Sequence, residues 1–103
     1  MQVLAVKTIA GEEIIGNDVH VYDDVVTMKD TVVLRGVQDP KTGEVIAGFG
    51  DWPAVGLIGQ VYRIPTSALV LMPYTIHEDL ERQYISNVTG MMLPPAASKI
   101  LLS

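Results

Sequence analysis

Two glycines, Gly11 and Gly16, lie five residues apart among β-branched residues that alternate with polar ones. The alternation predicts two antiparallel strands, followed by an acidic turn at Asp23-Asp24, seven residues after Gly16. A glycine inside a strand has no side chain to pack, and it usually marks a sharp bend or a close backbone approach. We therefore expect one strongly bent antiparallel sheet, the start of a small barrel.

Three strands are predicted in the first part of the chain, at 3–9, 13–22 and 25–37. Turn residues separate them, because Gly11 follows the first strand and Asp23-Asp24 follows the second. The charged pair Lys29-Asp30 interrupts the apolar pattern of the third strand. This interruption predicts a bulge or kink near Asp30.

Glycine and proline make the pattern harder to interpret beyond the turn at 38–43. The segment 44–59 has four glycines and one proline, and we interpret it as a hairpin arm or loop that leads into a fourth strand at 58–64. A short turn at 65–67 then precedes a fifth strand at 68–72. The fifth strand contains no polar residue, which predicts burial on both of its faces.

After Pro73 the spacing changes to that of a helix. Ile76, Leu80 and Tyr84 recur every four residues, and the acidic residues at 78, 79 and 81 suit the positive end of a helix dipole. Gly90 is expected to end the helix, and 91–103 is expected to form an extended tail. We therefore divide the chain into a barrel at 1–75 and a C-terminal helix with tail at 76–103.

Composition limits the function as well as the fold. The 103 residues suffice for one domain, and the absence of cysteine excludes disulfides and thiolate metal sites. No apolar stretch approaches the roughly 20 residues of a membrane-spanning helix, and no secretion signal begins the chain. We therefore expect a cytoplasmic protein without a membrane partner. Twelve acidic residues against seven basic ones would repel RNA at long range unless the cations cluster.

The order of glycines, aspartate and apolar residues resembles the first motif of Sm and Sm-like (LSm) proteins. The matching positions are Gly11, Gly16, Asp23, Val26, Thr27 and Met28. Tyr62-Arg63, which precedes 68–72, occupies the place of the second motif and resembles the bacterial Sm-like RNA chaperone. The segments 78–84 and 93–95 are similar to the tails of Sm-like proteins from marine phages.

The resemblance implies a mainly β fold: a five-stranded, strongly bent antiparallel barrel of SH3-like or Sm-like type, with a short C-terminal helix and tail. Its fourth and fifth strands would leave open edges, and pairing these edges between copies would satisfy their backbone hydrogen bonds. A homo-oligomeric ring is therefore expected. The resemblance also implies a site for RNA or single-stranded nucleic acid, formed by Thr27, Lys29, Tyr62 and Arg63.

Two positions depart from the RNA-binding pattern of the family. RNA-binding members hold a base with an aromatic side chain and an asparagine just after the aspartate, where this chain has Val25 and Thr27. Valine offers no flat surface for stacking, and threonine offers a single hydroxyl. In the second motif Arg63 is the one cation, and Ile64 follows it.

Other kinds of site are weaker alternatives. A metal could be held by the polar cluster Asp18, His20, Asp23 and Asp24, but no second histidine is nearby, and we predict neither a metal nor a cofactor. No nucleophile stands at motif spacing from a base, and no phosphate-binding GxxxxGKS loop is present, so we do not expect an enzyme. The aromatic residues Phe49 and Trp52 are expected to cover a barrel end or an interface.

Two functions remain open from the sequence. The first is an Sm-like ring that binds RNA or single-stranded nucleic acid. The second is a ring-forming structural or protein-interaction module that keeps the scaffold and has lost RNA binding. Fold alone does not decide between them.

Overall fold

The computed structural model describes residues 1–53, 56 and 59–90. These residues form a mainly β structure of six strands and one helix, which confirms the predicted fold class at this level. The elements are β1 (Val3–Thr8), β2 (Glu13–Val21), β3 (Val25–Gln38), β4 (Val45–Asp51), β5 (Val61–Pro65), β6 (Leu69–Tyr74) and α1 (Glu78–Thr89). A 3-10 turn, Thr66–Ala68, joins β5 to β6. The tail predicted at 91–103 lies outside the described residues.

The strands form one open antiparallel sheet in the order β4-β3-β2-β1-β6, and β5 pairs with β3 outside this order. The long strand β3 pairs with two strands along one edge: its first part, 25–29, pairs with β5, and its second part, 32–38, pairs with β4. β5 and β6 therefore lie at opposite ends of the path β5-β3-β2-β1-β6, although one short turn connects them. The sheet must curve strongly to bring these two ends close together.

Backbone hydrogen bonds attach the turn between β5 and β6 to two other parts of the curved sheet. The amide of Ile9, just after β1, donates to the carbonyl of Ala68 at 2.9 Å. The amide of Thr66 donates to the carbonyl of Asp24, between β2 and β3, at 3.0 Å. The turn therefore bridges the end of β1 and the β2–β3 connection.

The structure has one strand more than the sequence predicted, because 45–51 forms a strand paired with β3. Of the two alternatives predicted for this segment, a hairpin arm or a loop, residues 45–51 form the hairpin arm. A Cβ atom on Gly48 would lie 2.7 Å from the Val37 side chain, and one on Gly50 would collide with the side chain of Arg35. Side chains of β3 therefore lie over this face of β4, in close contact with its two glycines. The predicted start of the next strand, residue 58, lies outside the described residues.

A bulge divides β3 into its two parts. Ile15 is opposite Val32 and Asn17 is opposite Lys29, so two steps along β2 correspond to three steps along β3. The extra residue lies at Asp30, whose φ of 52° is left-handed. The predicted bulge near Asp30 is confirmed, and aspartate is among the residues that tolerate this conformation.

A second bulge lies on the neighbouring strand. From the pair Asn17–Lys29 to the pair His20–Thr27, three steps along β2 correspond to two steps along β3. The extra residue of β2 lies near Asp18, which has a φ of 50°. Two bulges on adjacent strands bend both strands at the same height and increase their twist.

Gly16 lies beside these bulges, where β3 comes close to β2. A Cβ atom on Gly16 would lie 3.0 Å from the carbonyl oxygen of Lys29 and 3.0 Å from Cε of Met28. Any side chain would push the two strands apart at the bend. The predicted close backbone approach at Gly16 is therefore confirmed.

Apolar side chains form two clusters on opposite faces of the sheet. The first contains residues of β1, β2, β3 and α1: Val3, Ala5, Ile15, Val32, Leu80 and Tyr84. The second contains residues of β1, β2, β3 and β5: Val6, Ile14, Val26, Met28 and Ile64. The side chain of Leu69 in β6 packs against the second cluster. β5 and β6 therefore contribute to the same cluster, on the concave side of the sheet.

The helix α1 covers the first cluster. His77 caps its start by accepting a hydrogen bond from the amide of Asp79 at 3.2 Å, and Gly90 ends it in a left-handed conformation, as predicted. The predicted division at residue 75 stays a prediction, although α1 shares a cluster with β1, β2 and β3. No helix among the described residues is long and apolar enough to cross a membrane.

A buried hydrogen-bond network attaches α1 to the bulges. The side-chain amide of Asn17 donates to the Tyr84 hydroxyl at 2.9 Å and to the Asp30 carboxylate at 3.0 Å. The Tyr84 hydroxyl donates to the Asp30 carbonyl at 2.7 Å. The pKa of Tyr84 is raised to about 12, mainly because the side chain is buried. The negative charge of Asp30 also raises this pKa, and the hydrogen bond from Asn17 lowers it. The hydroxyl therefore stays protonated and able to donate at neutral pH.

We predict that Tyr84→Phe lowers the free energy of unfolding by about 1–3 kcal/mol, because it leaves a buried Asn17 donor and the Asp30 carbonyl without their partner. Urea unfolding followed by far-UV circular dichroism measures the change. The matched control is Tyr74→Phe, since no hydrogen bond of the Tyr74 hydroxyl is described. We expect it to change stability by less than about 0.5 kcal/mol. Equal losses in the two variants would show that the network does not hold the helix.

Candidate functional site

Three of the four residues predicted to bind nucleic acid lie on one face of the β3–β5 pair. Thr27 is opposite Arg63, and Lys29 is opposite Val61. Side chains alternate along a strand, so Thr27 and Lys29 point away from the second cluster, to which Met28 belongs. Thr27 is buried, Lys29 is half-buried and Arg63 is exposed. We call this surface the outer face of β3 and β5.

Tyr62 lies on the other side of the sheet. It is opposite Met28, and its ring meets that of Trp52 edge-on, with ring centroids 6.0 Å apart and an interplanar angle of 76°. Trp52 itself packs against the second cluster. Tyr62 therefore does not join Thr27, Lys29 and Arg63, and the outer face has no contribution from its ring.

The outer face carries two positive charges. Within the described residues neither Lys29 nor Arg63 forms an ion pair. His20 lies opposite Thr27 on β2, and its Nε2 atom is 3.0 Å from a carboxylate oxygen of Asp18. The face can therefore offer cationic donors to a phosphate, while Asp18 places a negative charge at its border.

The acidic turn between β2 and β3 lies at Asp23-Asp24 and is closed by a backbone hydrogen bond. Among the described residues there is no group of three or more His, Cys, Asp or Glu side chains that could hold a metal. The Tyr22 amide closes the turn by donating to the Val25 carbonyl at 2.9 Å. The Asp23 carboxylate accepts no hydrogen bond from the described residues, so the turn is closed by backbone groups without an aspartate cap.

The two aromatic residues of the glycine-rich segment occupy different clusters. Phe49 packs against the first cluster and Trp52 against the second. Both are half-buried. Trp52 is fixed further because its carbonyl accepts a hydrogen bond from the Thr31 hydroxyl. Each therefore covers the border of a cluster within this chain.

The outer edges of β5 and β6 form a second candidate surface, which we call the free edges. Neither edge has a pairing strand within the described residues. On β6, Val70, Leu71 and Met72 are 57%, 50% and 45% exposed, and Val61 on β5 is also exposed. Because successive side chains point to opposite faces, three consecutive exposed residues leave β6 uncovered on both faces.

The exposure of β6 corrects the prediction that this strand is buried on both faces. The apolar pattern is typical of a strand covered on both sides, but among the described strands β1 alone pairs with β6. No described element covers its outer edge. Contiguous apolar side chains on an unpaired edge are typical of surfaces that bind another chain.

No protein-family model matches the sequence, and no curated protein is significantly similar to it. The resemblance to Sm-like proteins therefore depends on the residues quoted from the sequence.

Proposed function

We propose that this chain is an Sm-like, ring-forming module in which the free edge of β5 in one copy pairs with the free edge of β6 in the next. The strand that pairs with each free edge therefore belongs to another copy of the same chain. The observation that carries the proposal is the exposure of three consecutive apolar residues on β6, Val70, Leu71 and Met72.

The hydrogen-bonding capacity of the edges supports pairing between strands. An unpaired edge presents a row of backbone donors and acceptors that can extend a sheet into another chain. β5 has five residues and β6 has six, so the two edges match in length. Proteins that protect an edge commonly place lysine or proline on it, whereas β6 has no charged residue and its one proline, Pro73, follows the exposed apolar residues 70–72. The edge chemistry therefore favours a partner.

The placement of the edges supports a ring. The edges lie at opposite ends of one strongly curved path, so pairing β5 with β6 uses two different surfaces of the same chain. Such a head-to-tail interface repeats from copy to copy, and it closes into a ring when the rotation between copies divides a full turn. The path β5-β3-β2-β1-β6 within the six-stranded sheet supports the proposal, because the Sm-like resemblance implies five strands in a strongly bent sheet.

We predict that the wild-type chain elutes as an assembly several times the 11.2 kDa monomer in gel filtration with light scattering. The double variant Val70→Lys/Met72→Lys should elute as a monomer, because two lysines on one face of β6 would be buried against the next copy. The matched control is Val37→Lys/Val45→Lys on the β3–β4 hairpin, where the replaced residues are 48% and 43% exposed.

The control variant should keep the assembly of the wild-type chain, and both variants should keep its far-UV circular dichroism spectrum. A wild-type chain that is monomeric at all concentrations would contradict the proposal. Dissociation of both variants to the same extent would also contradict it, since the effect would then not be specific to β6.

A second candidate function is binding of RNA or single-stranded nucleic acid by the outer face. It is favoured by one observation: Lys29 and Arg63 share that face and form no ion pair with the described residues. A ring would repeat this pair of cations in every copy, so that a phosphate backbone could contact several copies. Two features oppose it: the net charge of −5 and the missing aromatic surface beside Thr27.

We predict that, if the outer face binds nucleic acid, a short fluorescent U-rich or A-rich RNA binds the assembled protein more weakly as salt rises. Lys29→Ala/Arg63→Ala should weaken binding and lower the salt slope by ~1 for each lost phosphate contact. Arg82→Ala on α1 is the control, because it removes one exposed cation elsewhere. Absence of binding at low salt would leave the ring without a nucleic-acid function.

A further inference from the structure

We infer that the cavity beside Trp52 is a binding site for a guanidinium group. The cavity has a volume of about 400 Å³ and lies where β3, the segment after β4, β5 and the end of α1 meet. Its size falls in the range of roughly 300–1,000 Å³ that is typical of small-molecule sites. Six of its lining residues bear on the ligand: Asp30, Asp51, Trp52, Gln60, Tyr62 and Asn87.

The charge of the lining selects a cation. Asp30 and Asp51 are carboxylates, and the described lining residues include no lysine, arginine or histidine. One oxygen of Asp30 accepts a hydrogen bond from Asn17, and the other accepts none within the described residues. Asp51 forms no described hydrogen bond or ion pair. Two residues with carboxylates that have unused acceptor capacity therefore line the cavity, and their charge repels phosphate groups and attracts cations.

The aromatic residues select a flat cation. Trp52 and Tyr62 stand edge to face and form one wall of the cavity. A guanidinium group can lie on an aromatic face while its N–H groups donate to carboxylates, whereas an ammonium group is compact and more strongly hydrated. The side chains of Gln60 and Asn87 add amide oxygens that can accept further N–H groups.

The wall of this site is held in place by contacts within the chain. The Thr31 hydroxyl donates to the Trp52 carbonyl, and Trp52 packs on the second cluster. Asp30 is held by Asn17 within the network that attaches α1 to the bulges. Asp30 and the Trp52 ring are therefore held before a ligand arrives, which lowers the entropy lost on binding. The site does not depend on the free edges or on the outer face.

The single tryptophan of the chain allows a direct test, because Trp52 lines the cavity and all tryptophan fluorescence comes from it. We expect acetyl-arginine-amide to change this fluorescence in a saturable way. Acetyl-citrulline-amide, which has the same shape without the charge, should produce no saturable change. Acetyl-lysine-amide, which carries an ammonium group, should bind more weakly than the arginine compound. Isothermal calorimetry with the same compounds detects binding that leaves the fluorescence unchanged.

A matched pair of variants locates the binding. Asp51→Asn should weaken the affinity for acetyl-arginine-amide about tenfold, because a charge-assisted hydrogen bond becomes a neutral one. Asp24→Asn, an exposed carboxylate of the β2–β3 turn outside the cavity, should leave the affinity unchanged. Both replaced residues are exposed, so both variants are expected to fold, and circular dichroism checks this.

Three results would overturn the inference: no binding by either method, equal binding of the citrulline compound, or equal affinity of the Asp51→Asn and Asp24→Asn variants. A peptide with one arginine between alanines shows whether the bound guanidinium group belongs to a protein or to a small molecule. Tighter binding of the peptide than of acetyl-arginine-amide would indicate an arginine side chain of a protein, and equal binding would indicate a small free guanidine compound.

Discussion

The side chains of Asn17, Asp30 and Tyr84 meet where β2 and β3 bend, and the rest of the structure depends on their hydrogen bonds. Asn17 uses both of its amide hydrogens, one on Tyr84 and one on Asp30, and Tyr84 returns a hydrogen bond to the Asp30 backbone. The left-handed conformation of Asp30 is uncommon for a residue with a side chain, and these contacts hold it in place. The network joins three elements that are distant in sequence: β2, β3 and α1.

The bend at Asp30 determines which strands find partners. It divides β3 so that β5 and β4 share one of its edges, and it turns the sheet until β5 and β6 contribute to one apolar cluster. The same curvature leaves the outer edges of β5 and β6 without pairing strands in the described chain. α1 covers the opposite face. The apolar surface of β6 therefore follows from how the sheet bends, and a second copy is the partner that we propose for it.

Much of the fold could be predicted because local patterns determine it. The β-branched alternation predicted β1, β2 and β3, the Lys29-Asp30 interruption predicted the bulge, and Gly90 predicted the end of α1. For β4 the sequence left a hairpin arm and a loop open, because Gly48 and Gly50 resemble loop residues. The side chains of Arg35 and Val37 lie over these glycines only after the strands have paired. Asn17 was missed because a single polar residue in a strand has no pattern. The separation of Tyr62 from Thr27 and Arg63 could have been inferred, since adjacent strand residues face opposite sides.

The central claim is that the edge of β6 pairs with another copy, and amide hydrogen exchange of residues 69–72 tests it most directly. In this part of β6 some amides bond to β1 and the others point outward. The account predicts that the outward amides exchange slowly in concentrated protein and rapidly after dilution, while the amides bonded to β1 stay protected. Rapid exchange of the outward amides at every concentration would contradict it.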